Sequence, residues 1–272
     1  MSITLTAGMR SNLIALQNTN RLMDSTQTKL STGMKVNSAL DDPVNFFKAK
    51  DHRDRAGDLS ALKDGMGEAM KTIEASNTGI EGIYDLLDQM KSLATAAKTA
   101  ATTDAAKTLT SQYYEVVSQL GKLANDANYG GINLLQGDSL TVDFDEGGTN
   151  QLSIAGFTVS TSGATIAGET LGTSYCFMSA GQITSAIGEI DDAVSALRTE
   201  AQKLSSNLST IEVRADFTSN MINTLETGAD NLTLADMNEE GANMLMLQTR
   251  QSLGTTSLSL SSQAAQSVLR LF

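Results

Sequence analysis

His52 is the only histidine and Cys176 the only cysteine among 272 residues, and each needs convergent partners to do chemistry. His52 lies in Lys50-Asp51-His52-Arg53-Asp54-Arg55. A metal or acid–base role there requires further ligands or a positioned partner, whereas the mixed charges on both sides describe a solvated or intersubunit ion cluster. Cys176 stands beside Tyr175, Phe177 and Met178, an apolar setting that suits packing rather than a reactive thiolate. Asp41-Asp42-Pro43 offers two carboxylates to a hard cation, but the same three residues read as a capped turn with proline at an early helical position. Asp143 and Asp145 share a strand face, as paired glycosidase carboxylates would; their alternation with Leu140, Val142 and Phe144 makes them the wet side of a hairpin. Asn207-Leu208-Ser209 and Asn231-Leu232-Thr233 match the N-glycosylation pattern but fall on a heptad helix and at a helix start. No HExxH, GxSxG or phosphate-loop pattern occurs. The sequence therefore predicts no catalytic residue, no metal ligand and no cofactor.

The composition explains what the chain does instead. Tryptophan is absent, proline occurs once and aromatics make up 4%. So few helix breakers and bulky rings favour long, thin helical packing over a compact globule. A net charge of −12 and a pI near 4.5 set the chain's own field against phosphate backbones and anionic lipid, so neither nucleic acid nor membrane is an expected partner. No stretch reaches the ~18 apolar residues of a membrane span. The N-terminal residues lack the apolar core of a Sec signal peptide. An exported life would use another route and rely on helix packing and assembly, since one cysteine closes no internal disulfide.

The elements follow from heptad spacing. Met9, Leu16, Met23 and Leu30 fall seven apart, with Thr6, Leu13, Asn20, Gln27 and Met34 on a second line: a weak, polar-interrupted seam. From Leu59 the pattern strengthens through Met66, Ile73, Ile80 and Leu87, predicting a helix over about 57–100, followed by a shorter one around Leu109–Ala127. Asn128-Tyr129-Gly130-Gly131 is a turn. Leu140, Val142 and Phe144, a Gly147-Gly148 turn, then Leu152 and Ile154 predict a β-hairpin with one apolar face, and the Ser/Thr-rich run beyond it suggests further short strands and an exposed tip. Heptads resume from Ile183 to Ile211 and Ile222; Gly228 is read as a break, with Asp230 or Thr233 capping a last helix. There Met237, Met244, Gln251, Leu258, Ala265 and Phe272 form one line, with Leu247, Gly254, Ser261 and Val268 on the other. Methionine at these positions, Met246 nearby included, suits an adaptable seam better than a promiscuous groove. The expected fold is mainly α, a long antiparallel helical bundle or coiled coil with a small β-hairpin element. The two terminal helices are marginal alone and fold when neighbouring copies cover them, coupling folding to polymerisation.

The motifs that carry a family likeness sit at both ends. Leu30-Ser-Thr-Gly-Met-Lys-Val-Asn-Ser-Ala-Leu-Asp-Asp42 resembles the bacterial flagellin pattern L-S-[ST]-G-x-[RK]-[IV]-N-S-A-x-D-D. Asn128 to Leu135 is similar to its F/Y-N-G-x-x-L-L element, with Gly130 where asparagine usually stands. Asn243-Met244 to Gln248, Gly254-Thr255-Thr256-Ser257, Gln263-Ala264 and Val268-Leu269-Arg270-Leu271-Phe272 are similar to its C-terminal run. The resemblance covers about residues 1–135 and 180–272 and looks like a compact flagellin lacking large outer domains.

That resemblance implies a filament subunit with no catalytic step, polymerising with itself into a helical propeller for swimming. It implies an inner terminal coiled-coil domain of residues 1–40 and 232–272, and a rod-like helical domain of 41–231 with a β-hairpin and exposed tip at about 138–178. Met9, Leu13, Leu16, Met23, Leu30, Met244, Leu247, Leu258, Val268 and Phe272 form the polymerisation seam. It further implies unfolded export through the flagellar type III apparatus with an export chaperone, and ends bounded by hook-associated junction and cap proteins. O-glycosylation is expected at the tip residues Thr158, Ser160, Thr161, Ser162, Thr165, Thr170 and Thr173. The stretch read in enteric flagellins by a vertebrate Toll-like receptor aligns with Asp88–Ala94. Here Gln89 replaces the usual basic residue and Ser92 the usual glutamate, while Lys91 and Leu93 keep the pattern, so recognition is expected to be weak. A hook–filament junction protein has similar termini; the Val268–Phe272 finish argues for the filament subunit, and copy number per cell separates the two. An enzyme would need a polar constellation that is missing, and a receptor module a membrane span.

Overall fold

The computed structural model describes residues 7–160, 165–171, 177 and 179–269. Its elements are α1 (Ala7–Thr32), α2 (Pro43–Lys98), α3 (Thr103–Asp126), β1 (Ser139–Asp143), β2 (Gln151–Ala155), β3 (Val159–Ser160), β4 (Thr165–Ile166), β5 (Glu169–Thr170), α4 (Ala180–Thr233) and α5 (Met237–Leu269). The described chain forms two compact units, one of residues 1–56 and 223–272 and one of 57–222.

The second unit holds the apolar core. Met66, Ile73, Ile80, Leu87 and Ala94 of α2 are buried at the predicted seven-residue spacing, together with Tyr113 and Leu120 of α3 and Ile183, Ile190, Leu197, Leu204 and Ile211 of α4. Glycine lets α3 approach α2: a Cβ on Gly79 would lie 2.7 Å from Ala127 Cβ, and one on Gly82 2.7 Å from Leu123 Cδ2. Thr102 caps α3 by accepting the Ala105 amide. At its other end Asn133 is buried and donates Nδ2 to the carbonyls of Ala124 and Asn125, satisfying helix-end acceptors that would otherwise be orphaned. The motif asparagine is thus a plug for the end of α3.

The hairpin forms as expected, with Leu140 opposite Ile154 and Val142 opposite Leu152 in antiparallel register. A small sheet of order β3-β4-β5 follows. Gly156 is obligatory here, because a Cβ would lie 2.3 Å from the Asp138 carbonyl oxygen and 2.4 Å from that of Leu134. Phe177 packs edge-on against Tyr113, with ring centroids 5.1 Å apart. Cys176 lies outside the described residues.

Two helix boundaries differ from expectation. α2 begins at Pro43, not near 57, because the seam continues backwards through small residues, Ala56 and Ala49, which are buried but weakly apolar. Gly228 does not break α4, which runs to Thr233. A single helical glycine costs only about 1 kcal/mol, and the buried Leu225 and Ala229 beside it hold the turn in place. The cap of α5 is consequently Asp236, whose Oδ1 accepts the amides of Asn238 and Glu239.

Candidate assembly surface

In the first unit α1 and α5 run antiparallel. Asn12 Nδ2 donates to Ser257 Oγ at 3.2 Å, Gln251 Nε2 donates to Asn20 Oδ1 at 3.0 Å, and Lys29 pairs with Glu240 at 3.0 Å. Gly254 brings the backbones together, since a Cβ there would sit 2.9 Å from Leu16 Cδ2. Met9 and Leu247 are buried in this seam, and Leu16, Met23, Leu30, Met244 and Leu258 are half-buried. The companion line on α1 is Asn12, Thr19 and Thr26, three residues on from Met9, Leu16 and Met23, rather than Leu13, Asn20 and Gln27 four residues on. Heptad partners follow at either spacing, and composition does not choose between them. Leu13 is therefore 41% exposed on a flank. The side chain of Val268 and all of Phe272 lie outside the described residues.

The Leu30–Asp42 motif ties this pair to the neighbouring helices. Gly33 ends α1 in the left-handed region at φ +72°. Lys35 and Val36 amides donate to the Thr233 carbonyl, and the Ala235 amide donates to the Gly33 carbonyl. Arg53 donates to Thr233 Oγ1 at 2.9 Å and approaches Asp230 at 3.4 Å. Asp41 accepts the amides of Asn37 and Ser38, which hold its carboxyl below the usual carboxylate range. Asp42 accepts the amides of Val44 and Asn45 and caps α2 behind Pro43. Asp41-Asp42-Pro43 is thus a turn and a cap. His52 is half-buried on α2, its ring facing Gly228. Among the described residues no group of three or more His, Cys, Asp or Glu side chains could hold a metal ion.

What the heptad lines missed is the outward apolar surface of the same pair. Ile14 and Leu22 on α1, and Leu245, Met246, Leu253 and Leu260 on α5, are all about half or more exposed. The signal was present, since Met246, Leu253 and Leu260 are themselves seven apart.

Over residues 5–139 the sequence matches the family described as bacterial flagellin N-terminal helical region, and over 187–272 the bacterial flagellin C-terminal helical region. Flagellin FljM of Caulobacter vibrioides is 30% identical over 264 residues, which cover 96% of this chain and 95% of that protein. The chain belongs to the bacterial flagellin family. Flagellin FljK of the same organism is 30% identical across 100% of this chain and 98% of its own length, and a Brucella melitensis flagellin is 28% identical across 100% and 99%. Like other flagellins it is a structural protein, a subunit that polymerises with its own kind into the flagellar filament.

The other predicted positions of this flagellin scatter over the second unit. Gln89 is exposed at a groove of about 640 Å³ with Leu86, Gln112 and Glu115. Lys91 pairs with Asp191 at 2.5 Å, Ser92 is exposed and Leu93 is half-buried against the core. Thr158 is exposed and bridged to Gln136, while Thr165 is half-buried in β4. Ser160 and Thr170 lie in strands; Thr161, Ser162 and Thr173 lie outside the described residues. Asp143 is exposed at the end of β1, but Asp145 belongs to the turn beyond it, where Thr149 and Asn150 donate to its carboxylate and lower its pKa.

Proposed function

We propose that residues 1–40 and 232–272 form the inner coiled-coil layer of the filament, and residues 41–231 the rod around it with the 138–178 region as its outward tip. The observation that carries this reading is the α1–α5 pair. Its seam is interrupted by Asn12, Thr19, Thr26, Gln251 and Ser261, and its outer surface keeps large apolar side chains in water. A helix pair of this kind is stabilised chiefly by burial against further copies. Seeding the purified full chain with short filament fragments at moderate salt and imaging by electron microscopy tests it: long uniform filaments are expected, and monodisperse protein under every seeding condition refutes the reading.

In this reading the chain leaves the cell unfolded through the flagellar type III apparatus, accompanied by an export chaperone, and ends up extracellular between junction and cap proteins. Loss of secretion in an export-deficient strain, with accumulation of intact chain inside the cell, is the expected result. The hydroxyl-rich segment with Thr158, Thr165, Thr170 and their neighbours is proposed to carry O-linked sugar. An intact mass equal to that of the bare chain would refute this. Gln89 and Ser92, in place of a basic residue and a glutamate, are proposed to leave vertebrate receptor activation weak; a reporter-cell response equal to that of an enteric flagellin is the contrary outcome.

A further inference from the structure

Helix α5 carries two apolar lines, and α1 covers only one of them. Leu247, Gln251, Gly254 and Leu258 turn toward α1. Met246, Leu253 and Leu260, roughly a third of a turn round the helix, are 47%, 66% and 62% exposed. Scattered exposed leucines are ordinary, but a line repeating at seven residues is the pattern by which one helix lies along another.

α1 is two-sided as well. Ile14, 58% exposed, shares its outward face with Arg10 and Arg21, and Leu22 stands on the shoulder of that face. Charge distinguishes the two helices. α1 carries Arg10, Arg21 and Lys29 against Asp24, whereas α5 carries Glu239 and Glu240 against Arg250. Lys29 and Glu240 pair inside the chain. Arg10 and Arg21 therefore remain opposite in sign to Glu239, which precedes Met246 by seven residues on the same line.

We propose that the Met246–Leu253–Leu260 line of one copy docks along the outer face of α1, around Ile14, of the next copy. Symmetry selects this pairing. An α5-to-α5 contact is isologous and closes as a dimer, whereas an α5-to-α1 contact leaves one unused face of each kind and repeats as an open polymer. An α1-to-α1 contact would set arginine against arginine. The inference rests on the reading of the terminal helices as the assembly layer and names which faces perform the assembly.

The test uses the full chain in a Cys176→Ser background, combining Ile14→Cys with Met246→Cys, Leu253→Cys or Leu260→Cys in turn. Seeded filaments are treated with a short bis-maleimide. At least one pair is expected to give a ladder of covalent dimers, trimers and longer chains, absent from single variants and from monomer. Dimers from Leu253→Cys alone would place α5 against α5 and overturn the proposal, as would filaments of all three pairs with no intermolecular cross-link. Where cysteine itself blocks growth, Leu253→Lys decides. The critical concentration is expected to rise about 100-fold or more, because a positive charge must be buried beside Arg10 and Arg21 without a partner, while the 57–222 body keeps its fold by limited proteolysis. An unaltered critical concentration overturns the proposal. Failure of the wild type to polymerise would instead refute the assembly reading itself, and growth of Leu253→Lys alongside arrest of Leu16→Lys would refute only this one.

Discussion

The two units of this flagellin carry opposite physical signatures. Residues 57–222 contain 21 acidic and 9 basic side chains and thus all of the net −12, whereas residues 1–56 and 223–272 contain ten of each and are neutral. The charged unit buries a continuous core of isoleucine, leucine and methionine. The neutral one buries little beyond Met9, Val36, Leu225, Leu247 and some alanines, and leaves leucines in water. Under the proposed assembly this is the contrast expected between a body that folds by itself and an end that its neighbours finish: a neutral surface lets copies pack tightly, and like charge holds the other bodies apart.

The comparison is broken most sharply by a charge in the α1–α5 seam. Leu16→Lys or Leu258→Glu is expected to abolish filaments outright, since the seam offers neither ion a partner, while the 57–222 body keeps its fold. Electron microscopy and limited proteolysis read the two halves of that statement, and normal-length filaments would contradict the role given to the pair. Next in size is Ile190→Ala in the charged unit, expected to cost about 2–5 kcal/mol of unfolding free energy, measured by denaturant titration of monomer. A loss below about 0.5 kcal/mol would show that this core is not the stable part.

Proteolysis of wild-type monomer then sharpens the boundary. Trypsin is expected to cut first at Arg10, Arg21, Lys29, Lys35, Arg250 and Arg270, leaving a fragment of about 45–235. Uniform resistance would show the ends to be stably folded before assembly. A smaller effect belongs to Asp42→Ala, which removes the acceptor for the Val44 and Asn45 amides and is expected to destabilise the start of α2 by about 1 kcal/mol.

The same contrast explains what could be read in the sequence. Strong seams are legible: Met66, Ile73, Ile80 and Leu87 declare α2, and the alternation of Leu140, Val142, Leu152 and Ile154 gave both strands and, with the turn, their pairing. Asp42-Pro43 announced a helix start, although the alanines that carry α2 from there to Leu59 are too weakly apolar to extend the pattern on paper. Gly228 misled because propensity is a small term beside the burial of its neighbours. The least legible element is α5. Apolar residues line two of its faces, so any heptad frame finds support, and only the position of α1 reveals which line is covered. Ambiguity of that kind is what the proposed docking of α5 on a second partner entails.

Acid separates the two units one last time. As pH falls from 7 toward the pI near 4.5, carboxylates in the 57–222 body lose charge, the repulsion between neighbouring bodies declines, and seeded growth at low salt is expected to become faster; added salt should mimic this by screening, with a Debye length of about 30 Å at 0.01 M falling to about 10 Å at 0.1 M. Asp41 and Asp145 are each held below the usual carboxylate range by donated hydrogen bonds, Asp41 by the amides of Asn37 and Ser38 and Asp145 by Thr149 and Asn150. A carboxylate with a lowered folded pKa stabilises above its unfolded value of about 3.9 and loses that contribution as pH falls through the folded one. The turns at 37–42 and 145–150 are therefore expected to loosen only below pH about 4, after the repulsion has been titrated away. Carbon-13 carboxyl titrations of monomer should place both groups below the ordinary aspartate value of about 3.9, and a titration of Asp41 at an ordinary value would detach the Leu30–Asp42 turn from this account.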